Sequence, residues 1–407
     1  MKVVGIIAEY NPFHNGHKYH LEKALKKTGA SVSVAVMSGN FLQRGEPALW
    51  DKRHRAKMAV ENGVSLVVEL PFAFACNNAE QFAYGGVSLL SGLGCVTDLA
   101  FGCEGEPEAL MRTALQISRE DDELKRSLAF YLEKGQSYPA ARTAALRACG
   151  EEEGAALLTL PNNILAAEYL KQCILQNSGM GIAAVKRMGG GYLDTDLSHS
   201  LSSAAAIRDA WEKGASLEEL QAFLPPETVT VLKDLDPRDN VFFRDFYELA
   251  VYRIRSAGKE ELAEIYAVSE GLENLLKKAA ASAVDLESLI RGVKSRRYTR
   301  TRIQRILIQA VMGLAKTEYN QILEDRQLYA HVLAFDEKGA GLLRHIKKSG
   351  CASIPVYSNI SKETSEKERQ SALLRYDLLA TDVYHIVQRN GIYSGSDLVL
   401  APYCKKY

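Results

Sequence analysis

The chain has 407 residues, 47% of them apolar and 25% charged, with 50 basic and 50 acidic side chains. At roughly 150 residues per domain that is room for two or three domains, whose cores need no disulfide or metal staple. The balanced charge excludes a polycation, so a nucleic-acid partner must be met by a local patch.

Residues 3–8 form an uninterrupted apolar run, as for a strand buried on both faces. Leu21, Ala24 and Leu25 recur at helical spacing, and 32–37 reads as a second strand. A helix over 50–62 ends at Gly63, a third strand over 66–70 stops at Pro71, a helix spans 80–90 and a fourth strand 96–101. This strand–helix alternation predicts an α/β fold with a Rossmann-like parallel sheet, which binds ligands beyond the carboxyl ends of its strands. Residues 107–150 read as charged helices, and 182–185 as a fifth strand before Gly189-Gly190-Gly191. Gly214, Pro225 and Pro226 interrupt the periodicity, and 240–321 is almost wholly helical. The last stretch mixes helices with short strands at 332–335 and 354–356. The expected division is a catalytic unit over 1–220 and a mainly helical unit over 221–407.

Seven cysteines, with no two at C-x-x-C spacing, argue against a disulfide framework and a zinc ribbon, and for reduced thiols in a cytoplasmic protein. The opening apolar run, ended by Glu9, is too short for a signal peptide or a membrane span.

The sharpest motif is Asn11-Pro12-Phe13-His14-Asn15-Gly16-His17, directly after the first strand. Pro12 cannot donate to a strand ladder, Gly16 admits close backbone approach, and His17 opens a helix whose free N–H groups attract phosphate. Two imidazoles at i and i+3 face one space and can donate to an α-phosphate as charge builds on it. His20 follows one turn later, placed to cover an adenine or the sheet. Neither a P-loop nor a dinucleotide-binding glycine motif follows this strand.

The H-x-G-H pattern resembles the HIGH-type nucleotidyltransferase superfamily. With Met37-Ser38-Gly39-Asn40-Phe41-Leu42-Gln43-Arg44-Gly45-Glu46-Pro47, Glu69-Leu70-Pro71-Phe72 and Pro161-Asn162-Asn163-Ile164-Leu165, the chain resembles the bacterial tRNA(Met) cytidine acetate ligases. The resemblance implies condensation of acetate with ATP to acetyl-adenylate, then acetyl transfer to the wobble cytidine of elongator tRNA(Met), with Mg2+ accompanying ATP. It implies catalytic roles for His14 and His17. It implies nucleotide contacts along Ile7, Ala8, Glu9, Tyr10, Asn11, Pro12, Phe13, His14, Asn15, Gly16, His17 and His20, and at Gly102, Asn162, Arg187 and Met188. Ser203 and Arg208 fall in a segment like the superfamily's second signature, but Ala205 stands where its threonine is usual. Arg44 and Glu46 are placed to clamp pyrophosphate or shape an acetate pocket. No residue identifies the acetate subsite, and no carboxylate cluster marks a protein-built metal site.

Residues 288–317 contain no Asp or Glu, and Arg291, Lys294, Arg296, Arg297, Arg300, Arg302 and Arg305 crowd around Tyr298. A basic segment with one aromatic suits RNA phosphates plus a stacked loop base, and the resemblance places tRNA binding in this part of the chain. Two other readings share the phosphate site. A small-molecule adenylyltransferase has no use for the basic helical unit, and a non-catalytic RNA-binding protein has none for intact His14, Gly16 and His17.

Overall fold

The computed structural model describes residues 1–119, 121–187, 203–269, 271–388 and 395–406. Its strands are β1 (Val3–Ala8), β2 (Val32–Ser38), β3 (Leu66–Leu70), β4 (Asp98–Cys103), β5 (Gly181–Lys186), β6 (Ala330–Phe335), β7 (Val356–Tyr357) and β8 (Tyr403–Cys404). They form one sheet in the order β5-β4-β1-β2-β3-β6-β7, with β8 pairing β6. The first five strands run parallel, and β6 joins β3 antiparallel. After β3 the chain crosses back to β4 beside β1, so the order reverses there, and such a reversal opens a crevice at the strand ends.

Alternate residues of β1 enter two cores. Val3 and Ile7 pack with Val34, Val36 and Leu99, while Val4 and Ile6 pack with Ala35, Met37 and Ala100. This two-sided burial is what an unbroken apolar run encodes. Leu21 and Ala24 of α1 (Asn15–Thr28) and Ala56 and Ala59 of α2 (Lys52–Glu61) cover the second face. The helices Ala79–Gly92 and Pro161–Leu175 cover the first. The fourth strand begins at Asp98 rather than residue 96 and continues through Gly102 and Cys103, because these pair with Val185 and Lys186 of β5.

The helices Tyr247–Ser256, Leu272–Ser282, Leu286–Val293 and Arg300–Met312 enclose a core of their own, including Ile254, Leu276, Leu289, Ile303 and Leu307. The expected unit over 221–407 is corrected here. Past residue 325 the chain returns to the first sheet, because β6 hydrogen-bonds to β3 and carries β7 and β8 with it. Buried polar contacts fasten this return. The Lys52 ammonium meets both Glu69 and Asp397, and the Phe72 N–H donates to Asp377 at 2.6 Å. Glu69, His331 and Asp397 are the one trio of potential metal ligands within reach of each other among the described residues, and its carboxylates are already paired with Lys52 and, at Asp397, Arg53. No helix among the described residues is long and apolar enough to cross a membrane.

Arg55 of α2 ties the strand ends together. It is wholly buried and donates to the carbonyls of Trp50 (2.9 Å), Glu9 (2.6 Å), Ser38 (3.1 Å) and Gly39. Each buried carbonyl left without a donor costs about 1–3 kcal/mol. Arg55→Leu is therefore expected to lower unfolding stability by at least about 3 kcal/mol, read as a shifted urea midpoint, whereas an exposed control such as Lys23→Leu should change it little.

Candidate active site

The turn from β1 into α1 is built by its own side chains. His14 is the N-cap of α1, and its Nδ1 accepts the Gly16 N–H at 3.0 Å. The His14 N–H in turn donates to His17 Nδ1 at 3.3 Å, closing a reciprocal capping box. The ring centroids lie 3.8 Å apart. With Nδ1 of each ring used as an acceptor, the neutral imidazole carries its proton on Nε2. Gly16 has a second reason here: a Cβ on it would stand 2.8 Å from His14 Cε1, so any side chain would push the capping ring aside. Beneath the pair, Tyr10 adopts a positive φ of 47° and packs its ring on Phe13 (4.8 Å) and His17 (4.9 Å).

A cavity of about 160 Å³ opens at the carboxyl ends of β1, β4 and β5. Of the residues named from the sequence, Ile7, Ala8, Glu9, Tyr10, His14, Gly16, His17, His20, Gly102, Asn162 and Arg187 line it. Asn11, Pro12, Phe13 and Asn15 belong to the same turn but stand outside the lining. Phe13 is fully buried, and Asn15 Nδ2 bonds the Ala222 carbonyl at 3.0 Å. Met188 lies outside the described residues.

Ser203 and Arg208, expected as phosphate contacts, are not among the described residues that line this cavity. Ser203 caps the helix Ala204–Glu212 by accepting from Ala206 N, and Arg208 donates to the Asn11 carbonyl at 2.9 Å. Arg208 thus braces the histidine turn from behind. With Glu46, it lines a second cavity of about 400 Å³ at the junction with the helical unit. Arg44 lines neither cavity. Glu46 accepts from Gln304 Nε2 at 2.9 Å, so the loop after β2 is bonded to the helix Arg300–Met312. Gly45, at φ 81°, permits this approach, since a Cβ there would fall 2.2 Å from Arg305 N.

Sequence reasoning missed Leu165 and Tyr169, which with Asn162 form one helical face at i, i+3 and i+7 of the cavity wall. That spacing was available in the sequence. Tyr19 was also missed.

In the basic segment Arg291, Lys294, Arg296 and Arg300 are exposed, while Arg297, Arg302 and Arg305 are partly buried. Tyr298 is only 6% exposed and belongs to the helical core, which corrects its expected role as a stacking platform. Arg302 lies over that ring at 5.2 Å and donates to Ser269 Oγ at 2.7 Å. Arg300 pairs with Glu287, and Arg305 donates to the Gln43 carbonyl at 3.3 Å.

Burial sets the protonation of the site. His14 is pushed down to about 3, first by desolvation and then by Arg187 and Arg208. His17 is lowered by burial, His14, Arg187 and His20, partly offset by a hydrogen bond to the Pro12 carbonyl. His20 falls to about 4 by burial, partly offset by the Phe101 carbonyl. All three are neutral donors at pH 7. A histidine lowered in the folded state contributes stability above its unfolded pKa and loses it as pH falls toward the folded value. Unfolding free energy should therefore drop between pH 6.5 and 5 by about 1.5 kcal/mol for each of His14 and His20. In His20→Gln the drop, measured by urea titration, should be smaller by that amount.

The sequence profile of the HIGH Nucleotidyl Transferase family matches residues 1–396. The tRNA(Met) cytidine acetate ligase of Caldicellulosiruptor saccharolyticus is 42% identical over 388 residues, 94% of each chain. That of Clostridium kluyveri is 39% identical over 412 residues, 99% of this chain and 98% of its own. The crystal structure of Thermotoga maritima TmcAL bound with alpha-thio ATP superimposes with a TM-score of 0.90 at 32% identity over 99% of both chains. A capped histidine pair at the mouth of a parallel sheet, on a sequence and fold shared from end to end with these proteins, places the chain in the HIGH nucleotidyl transferases and, within them, in the tRNA(Met) cytidine acetate ligase family.

Proposed function

We propose that this protein condenses acetate with ATP to acetyl-adenylate and pyrophosphate, then transfers the acetyl group to N4 of the wobble cytidine of elongator tRNA(Met), releasing AMP. The observation that carries the reading is the His14–His17 pair, two neutral Nε2–H imidazoles fixed at the N-terminus of α1 in a cavity at the sheet reversal. An acetate oxygen attacks the α-phosphate in line, and charge builds on its oxygens. The two imidazoles and the first N–H groups of α1 stabilise that charge, and Arg187 adds a cation beside them. A carboxylate nucleophile needs no general base, so positioning and electrostatics supply the rate. Mg2+ bound to the triphosphate would offset part of its charge. Among the described residues Glu9 is the one carboxylate lining the cavity, and its Oε1 already accepts from Gln43 N at 2.9 Å, which fits an ion held mainly by phosphate oxygens. In the second step the cytidine amine attacks the acetyl carbonyl, which requires the base to be splayed from the anticodon loop. Lys294, Arg296 and Arg297 supply exposed charge for the tRNA backbone on the helical unit bonded to the loop after β2.

Mass spectrometry of tRNA incubated with ATP and labelled acetate tests the reading. One cytidine should gain one acetyl group, dependent on both, and unmodified tRNA would contradict it. His14→Ala or His17→Ala should slow acetyl-adenylate formation about 10²–10³-fold while tRNA affinity stays unchanged. His14→Ala should also cost about 1 kcal/mol of stability through the lost cap. Arg296→Ala with Arg297→Ala should weaken tRNA binding and flatten its dependence on salt, leaving acetate-dependent ATP–pyrophosphate exchange intact.

A further inference from the structure

The two layers flanking the sheet contribute opposite walls of the nucleotide cavity. α1 brings the histidines from one face, and the helix Pro161–Leu175 brings Asn162, Leu165 and Tyr169 from the other, beside Phe101 and Gly102 of β4. The N–H groups at the start of α1 suit phosphate, so the apolar and aromatic wall is left for the nucleoside.

On that wall the orientation of one amide is dictated by its partner. Asn162 Nδ2 donates to Glu104 Oε1. A carboxylate offers only acceptors, so the amino end of the amide must face Glu104 and its carbonyl oxygen must turn away. Among the described residues no protein group donates to that Oδ1. Glu104 is itself immobilised by the next residue: its N–H donates to Asn163 Oδ1 at 2.8 Å and its carbonyl accepts from Asn163 Nδ2 at 2.6 Å, with Asn163 fully buried. Adjacent asparagines thus divide the work, Asn163 fixing the turn after β4 and Asn162 lining the cavity with a set polarity.

We propose that Glu104 is a positioning residue that holds Asn162 with its carbonyl oxygen toward the nucleotide, where it accepts a hydrogen bond from the nucleoside. This rests on the ATP-binding reading above. The donors available are the 6-amino group of adenine and the ribose hydroxyls. Glu104→Gln removes the constraint, because a glutamine amide can donate to Asn162 Oδ1 and let the amide turn its amino group to the cavity.

Calorimetric titration with ATP, inosine triphosphate, 2′-deoxy-ATP and 3′-deoxy-ATP tests this independently of acetate and tRNA. The native protein should lose about 10-fold in affinity for the analogue that lacks the donor, inosine triphosphate if it is the amine and a deoxy analogue if it is a hydroxyl. Glu104→Gln should bind ATP about 10-fold more weakly and no longer discriminate against that analogue, keeping its ratios for the others. Asn162→Ala, which leaves the Asn163 bonds intact, should erase the same discrimination and serves if Glu104→Gln does not fold. ATP affinity unchanged in both variants, or weaker binding with every analogue ratio preserved, overturns the inference while leaving the proposed function standing. A native protein that binds no ATP overturns both.

Discussion

Two imidazoles close the first turn of α1, and the rest of the site depends on how they do so. Their Nδ1 atoms accept backbone N–H groups at the helix start, where a serine or aspartate oxygen would usually serve. The same bonds that stabilise the helix end therefore fix the tautomer, and leave each ring a single neutral donor at Nε2. Gly16 is demanded by the His14 ring rather than by the turn's dihedral angles, and burial keeps the rings uncharged. Local structure, protonation and the geometry of the cavity mouth are here one arrangement.

The scaffold holds this turn from three sides. Arg55 gathers the carbonyls at the ends of β1 and β2. Arg208 takes the Asn11 carbonyl from behind. Glu46 and Gln43 link the loop after β2 to the helix Arg300–Met312. The last of these hydrogen-bonds the helical unit to the catalytic sheet's loop after β2, whose Gln43 N–H also donates to Glu9 at the end of β1. The C-terminal return adds stiffness through β6 and the Lys52 contacts with Glu69 and Asp397.

Much of the fold was legible because parallel strands buried on both faces announce themselves as apolar runs, and β1, β2, β3 and β5 fall within a residue or so of their runs. The histidine turn was legible because its spacing and its place after a strand jointly specify it. Other features were hidden for physical reasons. The antiparallel docking of β6 on β3 is a long-range choice that local pattern does not encode, so the division near residue 220 missed the C-terminal return. Charge runs do not reveal their partners: Arg302 donates to Ser269 and Arg305 to the Gln43 carbonyl, while Arg300 pairs with Glu287 and stays exposed. Tyr298 likewise reads as an exposed ring but fills the helical core. The contact of Glu104 with Asn162 was hidden because it joins residues 58 positions apart.

The central claim is that His14 and His17 are neutral and protonated at Nε2 because backbone N–H groups occupy Nδ1. Two-bond proton–nitrogen correlation NMR of histidine-labelled protein at pH 7, assigned with His14→Ala and His17→Ala, tests it directly. The account predicts two rings with protonated Nε2 and bare Nδ1. An imidazolium, or a proton on Nδ1 of either ring, would contradict it.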